Sequence, residues 1–179
     1  MKWRIALGVA AFVLLHAVSA VAGERRPGAT LIAPDEMRCI AWAAHHYHRP
    51  DDPISEHAFV DLVAAIRLSE GGRVGRISVN RNGSYDIGPM QINSTHLGQL
   101  QRIGISYDQL LHNACENIVV GAWILHSALR SSGDLWSRIG DYNSRTPVYN
   151  QAYQRRVWQQ LQVLWARRSP KAPPGRAAG

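Results

Sequence analysis

Residues 55–72 read Ser-Glu-His-Ala-Phe-Val-Asp-Leu-Val-Ala-Ala-Ile-Arg-Leu-Ser-Glu-Gly-Gly. Ser55 has the side chain of a helix cap. Phe59, Leu62, Val63 and Ile66 follow at spacings of three and four, which is one buried stripe of an α-helix. The next position on that stripe is Glu70, and Gly71-Gly72 supplies a helix stop. The same grammar recurs on both sides. Upstream, Pro34-Asp35-Glu36 starts a helix with acids at its positive end, carrying Cys39, Ile40, Ala43 and Tyr47 inward and stopping before Pro50. Downstream, Asn80, Asn82-Gly83 and Ser84 make residues 73–86 turn-rich, with room for a short hairpin. Pro89 fits the first turn of a further helix through Met90 and Ile92 towards Leu97. Asn113 with Glu116 has capping-box spacing, ahead of Ile118, Ala122, Leu125 and Leu129. Asp134 caps a short helix with Leu135, Trp136 and Ile139. Thr146-Pro147 opens the last one, with Tyr153, Val157, Leu161 and Leu164 on one face. The prediction is a mainly α domain over residues 34–168 with a short β-hairpin.

The chain has 179 residues, enough for one domain. Hydrophobic residues are 46% and charged residues 18%, a globular balance that excludes collagen, low complexity and disorder throughout. The net charge of +7 raises the question of a polyanionic partner. Much of the surplus lies at the ends, at Lys2 and Arg4 and from Arg155 to Arg176, while the middle is near balance. No phosphate loop or nucleic-acid module is present, so nucleic acid is not an expected partner. Pro170, Pro173 and Pro174 prevent a helix from continuing, and residues 169–179 read as a disordered basic tail.

Lys2 and Arg4 precede an apolar run from Ile5 to Val18, interrupted by His16, and then Ala20-Val21-Ala22. This is the pattern of a signal peptide over residues 1–22, cut after Ala22. The run falls short of the ~20 residues of a comfortable membrane span. An uncleaved N-terminal anchor is the competing reading. Export to the periplasm leaves no stable membrane span. It also puts Cys39 and Cys115 in an oxidising compartment, where they most simply form one disulfide rather than two free thiols. Closing so long a loop is worth about 4 kcal/mol in the chain-entropy model.

A carboxylate on an apolar stripe at the negative end of a helix is costly, and both effects favour its protonated form. Glu70 is therefore a candidate general acid. A frayed helix end with Glu70 in solvent is equally compatible with the spacing. The stretch Tyr85-Asp86-Ile87-Gly88-Pro89-Met90-Gln91-Ile92-Asn93 mixes aromatic, amide and Gly residues without simple periodicity, and Tyr142-Asn143 adds a phenol and an amide. Such groups around one acid suit a sugar bearing N-acetyl groups. His45, His46 and His48 point in different directions from one helix, with no acidic ligand at the right offset, so neither metal nor cofactor is expected.

At these residues the chain resembles the lytic transglycosylases with a goose-lysozyme-like catalytic domain. The family's marks appear as Ser69-Glu70-Gly71-Gly72, Gly88-Pro89-Met90-Gln91-Ile92 and Asp141-Tyr142-Asn143, in the family's order, across about residues 36–160. Gly71 stands where the family usually has Ser, Pro89 where it has Leu, and Asp141 where it has Ala. Glu70-Gly71-Gly72, Gly88-Pro89-Met90-Gln91-Ile92-Asn93 and Tyr142-Asn143-Ser144-Arg145-Thr146-Pro147 together resemble the branch found with conjugation, type IV secretion and pilus systems.

The resemblance implies a lysozyme-like fold with a catalytic cleft and an enzyme acting on peptidoglycan glycan strands. It implies that Glu70 is both acid and base, that Tyr142 orients it, and that Tyr85, Met90, Gln91 and Asn143 line the substrate cleft. The product would be a 1,6-anhydro sugar, and the partner a secretion or conjugation apparatus. Two alternatives stand beside this. A lysozyme-like hydrolase would recruit Asp86 as a second carboxylate; otherwise Asp86 is a turn residue bonding nearby backbone. A wall-binding scaffold would need no catalysis.

Overall fold

A computed structural model describes residues 31–168; the signal peptide and the basic tail read from the sequence lie outside them. Within the described residues the elements are α1 (Pro34–Tyr47), α2 (Glu56–Glu70), β1 (Ile77–Val79), β2 (Tyr85–Ile87), β3 (Ile92–Asn93), a 3-10 turn (Ser94–His96), α3 (Leu97–Arg102), α4 (Tyr107–His112), α5 (Ala114–Leu129), α6 (Leu135–Gly140) and α7 (Pro147–Arg168).

The stripe predicted for α2 is the centre of the core: Phe59, Leu62, Val63 and Ile66 are all buried. Ser55 accepts a hydrogen bond from the Ala58 N–H at 3.2 Å, and Gly71 closes the helix in the left-handed region at φ 61°. The α2 helix packs against α1, α5 and α7, and α1 packs against α5. A disulfide joins Cys39 on α1 to Cys115 on α5 across a sequence separation of 76, as the exported-domain reading expects. The Arg67 guanidinium donates to both Glu36 carboxylate oxygens at 2.9 and 3.1 Å, fixing α2 against the start of α1. Asn113 caps α5 by accepting from the Glu116 N–H, and Asp134 caps α6 through the Trp136 and Ser137 N–H groups. On α7, Tyr153, Val157, Leu161 and Leu164 are buried as their spacing predicts.

The sheet is antiparallel in the order β1-β2-β3, with Ile77 opposite Ile87 and Ile87 opposite Ile92. The hairpin expected in residues 73–86 is therefore present, and it gains a third strand. That strand corrects the helix expected from Pro89. The Gln91 N–H donates to the Gly88 carbonyl at 3.1 Å, so Gly88-Pro89-Met90-Gln91 is a β-turn returning the chain along β2. Gly88 and Gln91 have φ of 68° and 49°, outside any right-handed helix. Pro89 supplies the fixed φ of a turn's second residue, a position it fills as readily as a helix's first turn. A further helix, α4, is unanticipated, although Ser106 and Gln109 form a complete capping box at its start.

Candidate active site

Glu70 is the last residue of α2 and faces a cavity of about 360 Å³. Asn80, Asp86, Gln91, Asn93, Thr95, His96, Asp141, Tyr142 and Asn143 share its lining. One wall is thus the sheet and its turns, and the other is the segment after α6.

Desolvation by burial raises the Glu70 pKa to about 7, the Asp86 carboxylate adding to the rise, while a hydrogen bond from Tyr153 and the charge of Arg156 oppose it. Near neutral pH the side chain therefore holds or releases a proton at little cost. The Tyr153 hydroxyl donates to Glu70 Oε1 at 2.5 Å. Burial and the Glu70 carboxylate push the Tyr153 phenol well above its usual range, so it remains a donor.

Tyr142, expected to orient Glu70, lines the same cavity but makes its own hydrogen bond elsewhere. The Tyr142 hydroxyl donates to the Met90 carbonyl at 3.0 Å, and its ring stacks on that of Tyr153 with centroids 6.1 Å apart. The reason lies in the packing. Because α7 lies against α2, a phenol on its buried face meets the end of α2, whereas the segment after α6 meets the Gly88–Gln91 turn. In the sequence Tyr153 was indistinguishable from a core aromatic; its hydroxyl, on a stripe otherwise filled by Val157, Leu161 and Leu164, was the one signal.

The other anticipated residues divide. Gln91 and Asn143 line the cavity. The Gln91 amide donates to the Gly88 carbonyl and accepts from the Ser78 hydroxyl, so it is fixed before any ligand enters. Met90 is fully buried, and a Cβ on Gly121 would lie 2.7 Å from its terminal methyl. Tyr85 sits on β2 with its ring edge-on to Tyr107, outside the cavity lining. These two build the wall from behind. Asp86 is a strand residue held by side chains rather than backbone: it accepts from Asn93 at 2.7 Å and from Asn80 at 3.1 Å.

Asn117 on α5 escaped the sequence reading. It is fully buried, accepts from the Met90 N–H at 2.7 Å, and donates to the Ile87 and Leu110 carbonyls at 2.9 and 3.0 Å. Every hydrogen-bonding position it uses ties the turn to the core. Gly88 has no room for a side chain beside it, since a Cβ there would lie 2.5 Å from the Asn117 amide nitrogen. Across the cleft, Asn150 does the same for Asp141, donating to its carboxylate at 2.8 Å and to the Ser137 carbonyl at 2.9 Å.

A central helix ending in a buried carboxyl, facing a polar cleft walled by a small sheet and a helical lobe, is the arrangement of a lysozyme-like domain. Residues 60–161 match the Transglycosylase SLT domain, and the chain belongs to that family; the domain is a peptidoglycan lytic transglycosylase. It is 37% identical over 109 residues to Invasion protein IagB of Salmonella typhimurium, covering 58% of this chain and 68% of the relative. It is 35% identical over 86 residues to Protein IpgF of Shigella flexneri, covering 48% and 57%. A Peptidoglycan-binding-like protein of Escherichia coli O157:H7 is 31% identical over 115 residues, covering 60% and 69%. Among the described residues no helix is long and apolar enough to cross a membrane.

Proposed function

We propose that this domain cleaves the bond between N-acetylmuramic acid and N-acetylglucosamine with Glu70 as its only acid and base, in the periplasm, leaving a 1,6-anhydro end. The observation that carries the reading is the Glu70 carboxyl, balanced near neutrality and clamped by Tyr153. Protonated Glu70 gives its proton to the bridging oxygen as the bond to muramic acid C1 breaks. The sugar's own acetamido oxygen stabilises the cationic carbon. The Glu70 carboxylate then takes the proton of the 6-hydroxyl, whose oxygen closes on C1, and no water is consumed. Tyr153 holds the carboxyl through both transfers. The polar cleft residues, Gln91 and Asn143 among them, meet the sugar amides and hydroxyls.

Asp86 supports a second reading. It lines the same cavity, and a carboxylate opposite Glu70 could serve a hydrolase. Digestion of purified peptidoglycan with mass spectrometry separates the two, because the anhydro product is lighter than the hydrolytic product by one water. A hydrolytic product alone sinks the lyase reading. Cleavage surviving in a folded Glu70→Gln sinks Glu70 as the acid and makes Asp86 the next residue to test, whereas a parent that binds peptidoglycan without releasing product leaves a wall-binding module.

The sequence resemblance to the secretion and conjugation branch, together with a relative named for invasion, supports local opening of the wall for an envelope-spanning assembly. Loss of that assembly on deletion, restored by the parent but not by Glu70→Gln, is the expected result.

A further inference from the structure

Beside the catalytic cleft lies a second cavity, of about 540 Å³, lined by Asn143, Tyr149, Ala152, Tyr153, Arg155, Arg156 and Gln159. It adjoins the first directly. Asn143 lines both, and Tyr153, on its wall, is the residue that holds Glu70. The lining is almost wholly one face of α7, which runs from the catalytic phenol outward.

Two features of this wall bear on a ligand. Arg155 and Arg156 are adjacent and exposed, and among the described residues neither is paired with a carboxylate. Arg67, Arg130 and Arg168, by contrast, are committed to Glu36, to Asp51 and Asp52, and to Asp61. Arg156 also has a fixed place, its guanidinium carbon 5.0 Å from the centre of the Tyr153 ring. Stacking of this kind limits the side chain's freedom while leaving its N–H fork available. Tyr149, 63% exposed, supplies an apolar face at the outer edge.

An unpaired guanidinium pair on a concave wall suits a planar carboxylate. In peptidoglycan, muramic acid carries a short peptide on its lactyl group, and that peptide has free carboxylates, whereas the sugars themselves are neutral. A strand placed with muramic acid C1 at Glu70 must direct this stem out of the cleft. We propose that Arg155 and Arg156, with Tyr149 and Gln159, form a subsite for a carboxylate of the peptide stem, so that the enzyme distinguishes stem-bearing, charged strands from neutral ones. This rests on the reading of Glu70 as the catalytic acid.

The test uses two purified tetrasaccharide muropeptides, one with free stem carboxylates and one with the same carboxylates converted to amides. The readout is the ratio of kcat/KM between them, so a general loss of rate in a variant does not enter. The parent should favour the charged form by about 10-fold, the scale of a charge-assisted hydrogen bond. In the double variant Arg155→Gln, Arg156→Gln that ratio should fall to near one. If the double variant does not fold, Arg155→Gln alone, away from Tyr153, carries the same comparison with a partial fall. A parent ratio of one, or a preference unchanged in the variants, overturns the subsite. A parent that cuts neither compound instead defeats the Glu70 reading. Calorimetric binding of the same two compounds then decides the subsite by whether their affinities differ in that ratio.

Discussion

At the residue scale the useful contrast is between two stacked phenols with different duties. Tyr153 donates to the Glu70 carboxyl, so removing its hydroxyl withdraws an interaction that favours the carboxylate. In Tyr153→Phe the acid should stay protonated to higher pH, and the alkaline fall of kcat/KM should move above its parent position near pH 7. Turnover should drop by about 10-fold or more, because the carboxyl loses the group that orients it. Tyr142→Phe removes only the bond to the Met90 carbonyl. Its pH profile should stay with the parent's, while the cleft wall loosens and KM rises. A pH–rate series on the two variants settles the assignment: a shifted profile in Tyr142→Phe with an unshifted one in Tyr153→Phe would falsify it. Glu70→Gln keeps the shape of the side chain but neither gives nor takes the proton, so cleavage should fall by several orders of magnitude, measured as soluble product from purified peptidoglycan.

At the element scale the site depends on holding a sharp turn against a helix, and Asn117 is the point of attachment. Asn117→Ala leaves the Met90 N–H and the Ile87 and Leu110 carbonyls without their partner, and opens a void under the turn. The expected cost is about 3 kcal/mol, read by urea unfolding, with activity falling further than stability alone accounts for, because Gln91 sits at the end of that turn. Intact stability in this variant would show that the sheet holds itself. The same region marks the boundary of what the chain discloses by pattern. The α2 stripe was legible from Phe59 to Glu70 because burial on one helix face imposes a strict period. The caps at Ser55, Asn113 and Asp134 were legible because their side chains bond to neighbours in sequence. The turn at Gly88–Gln91 was not, since Pro89 serves a helix start and a turn equally well, and the decision comes from strand pairing of Ile87 with Ile92 and from Asn117, 27 residues beyond Met90. Tyr153 was hidden for a related reason. Its partner lies 83 residues away, and only the packing of α7 on α2 brings them together.

At the scale of the whole molecule, two costs and one constraint set the stability. The constraint is the disulfide between α1 and α5; replacing both Cys39 and Cys115 by Ser should cost about 2–4 kcal/mol, with the cleft unchanged in the folded fraction, since neither cysteine lines it. A variant as stable as the parent in urea would mean that α1 docks on α5 without help. The first cost is the buried Asp61, which spends the Trp165 indole N–H and Arg168 on its neutralisation. The second is Glu70. Its folded pKa of about 7 stands above the ordinary 4.5 that it regains on unfolding. Below the unfolded value both states carry the proton and the site costs nothing. As pH rises from there towards 7, the unfolded chain has released its proton while the folded chain still holds one, so the unfolded state is progressively favoured. Above the folded value the penalty is complete, at about 3 kcal/mol from the size of the shift. Glu70→Gln has no such proton. Its stability should match the parent's near pH 4 and exceed it increasingly up to about pH 8, while every other titrating group contributes equally to both proteins. Urea midpoints for the pair across that range measure the difference directly. A gap that stays constant with pH would mean that Glu70 titrates as an ordinary surface carboxylate, and a carboxylate of that kind could not hold the proton that the cleavage step requires at neutral pH.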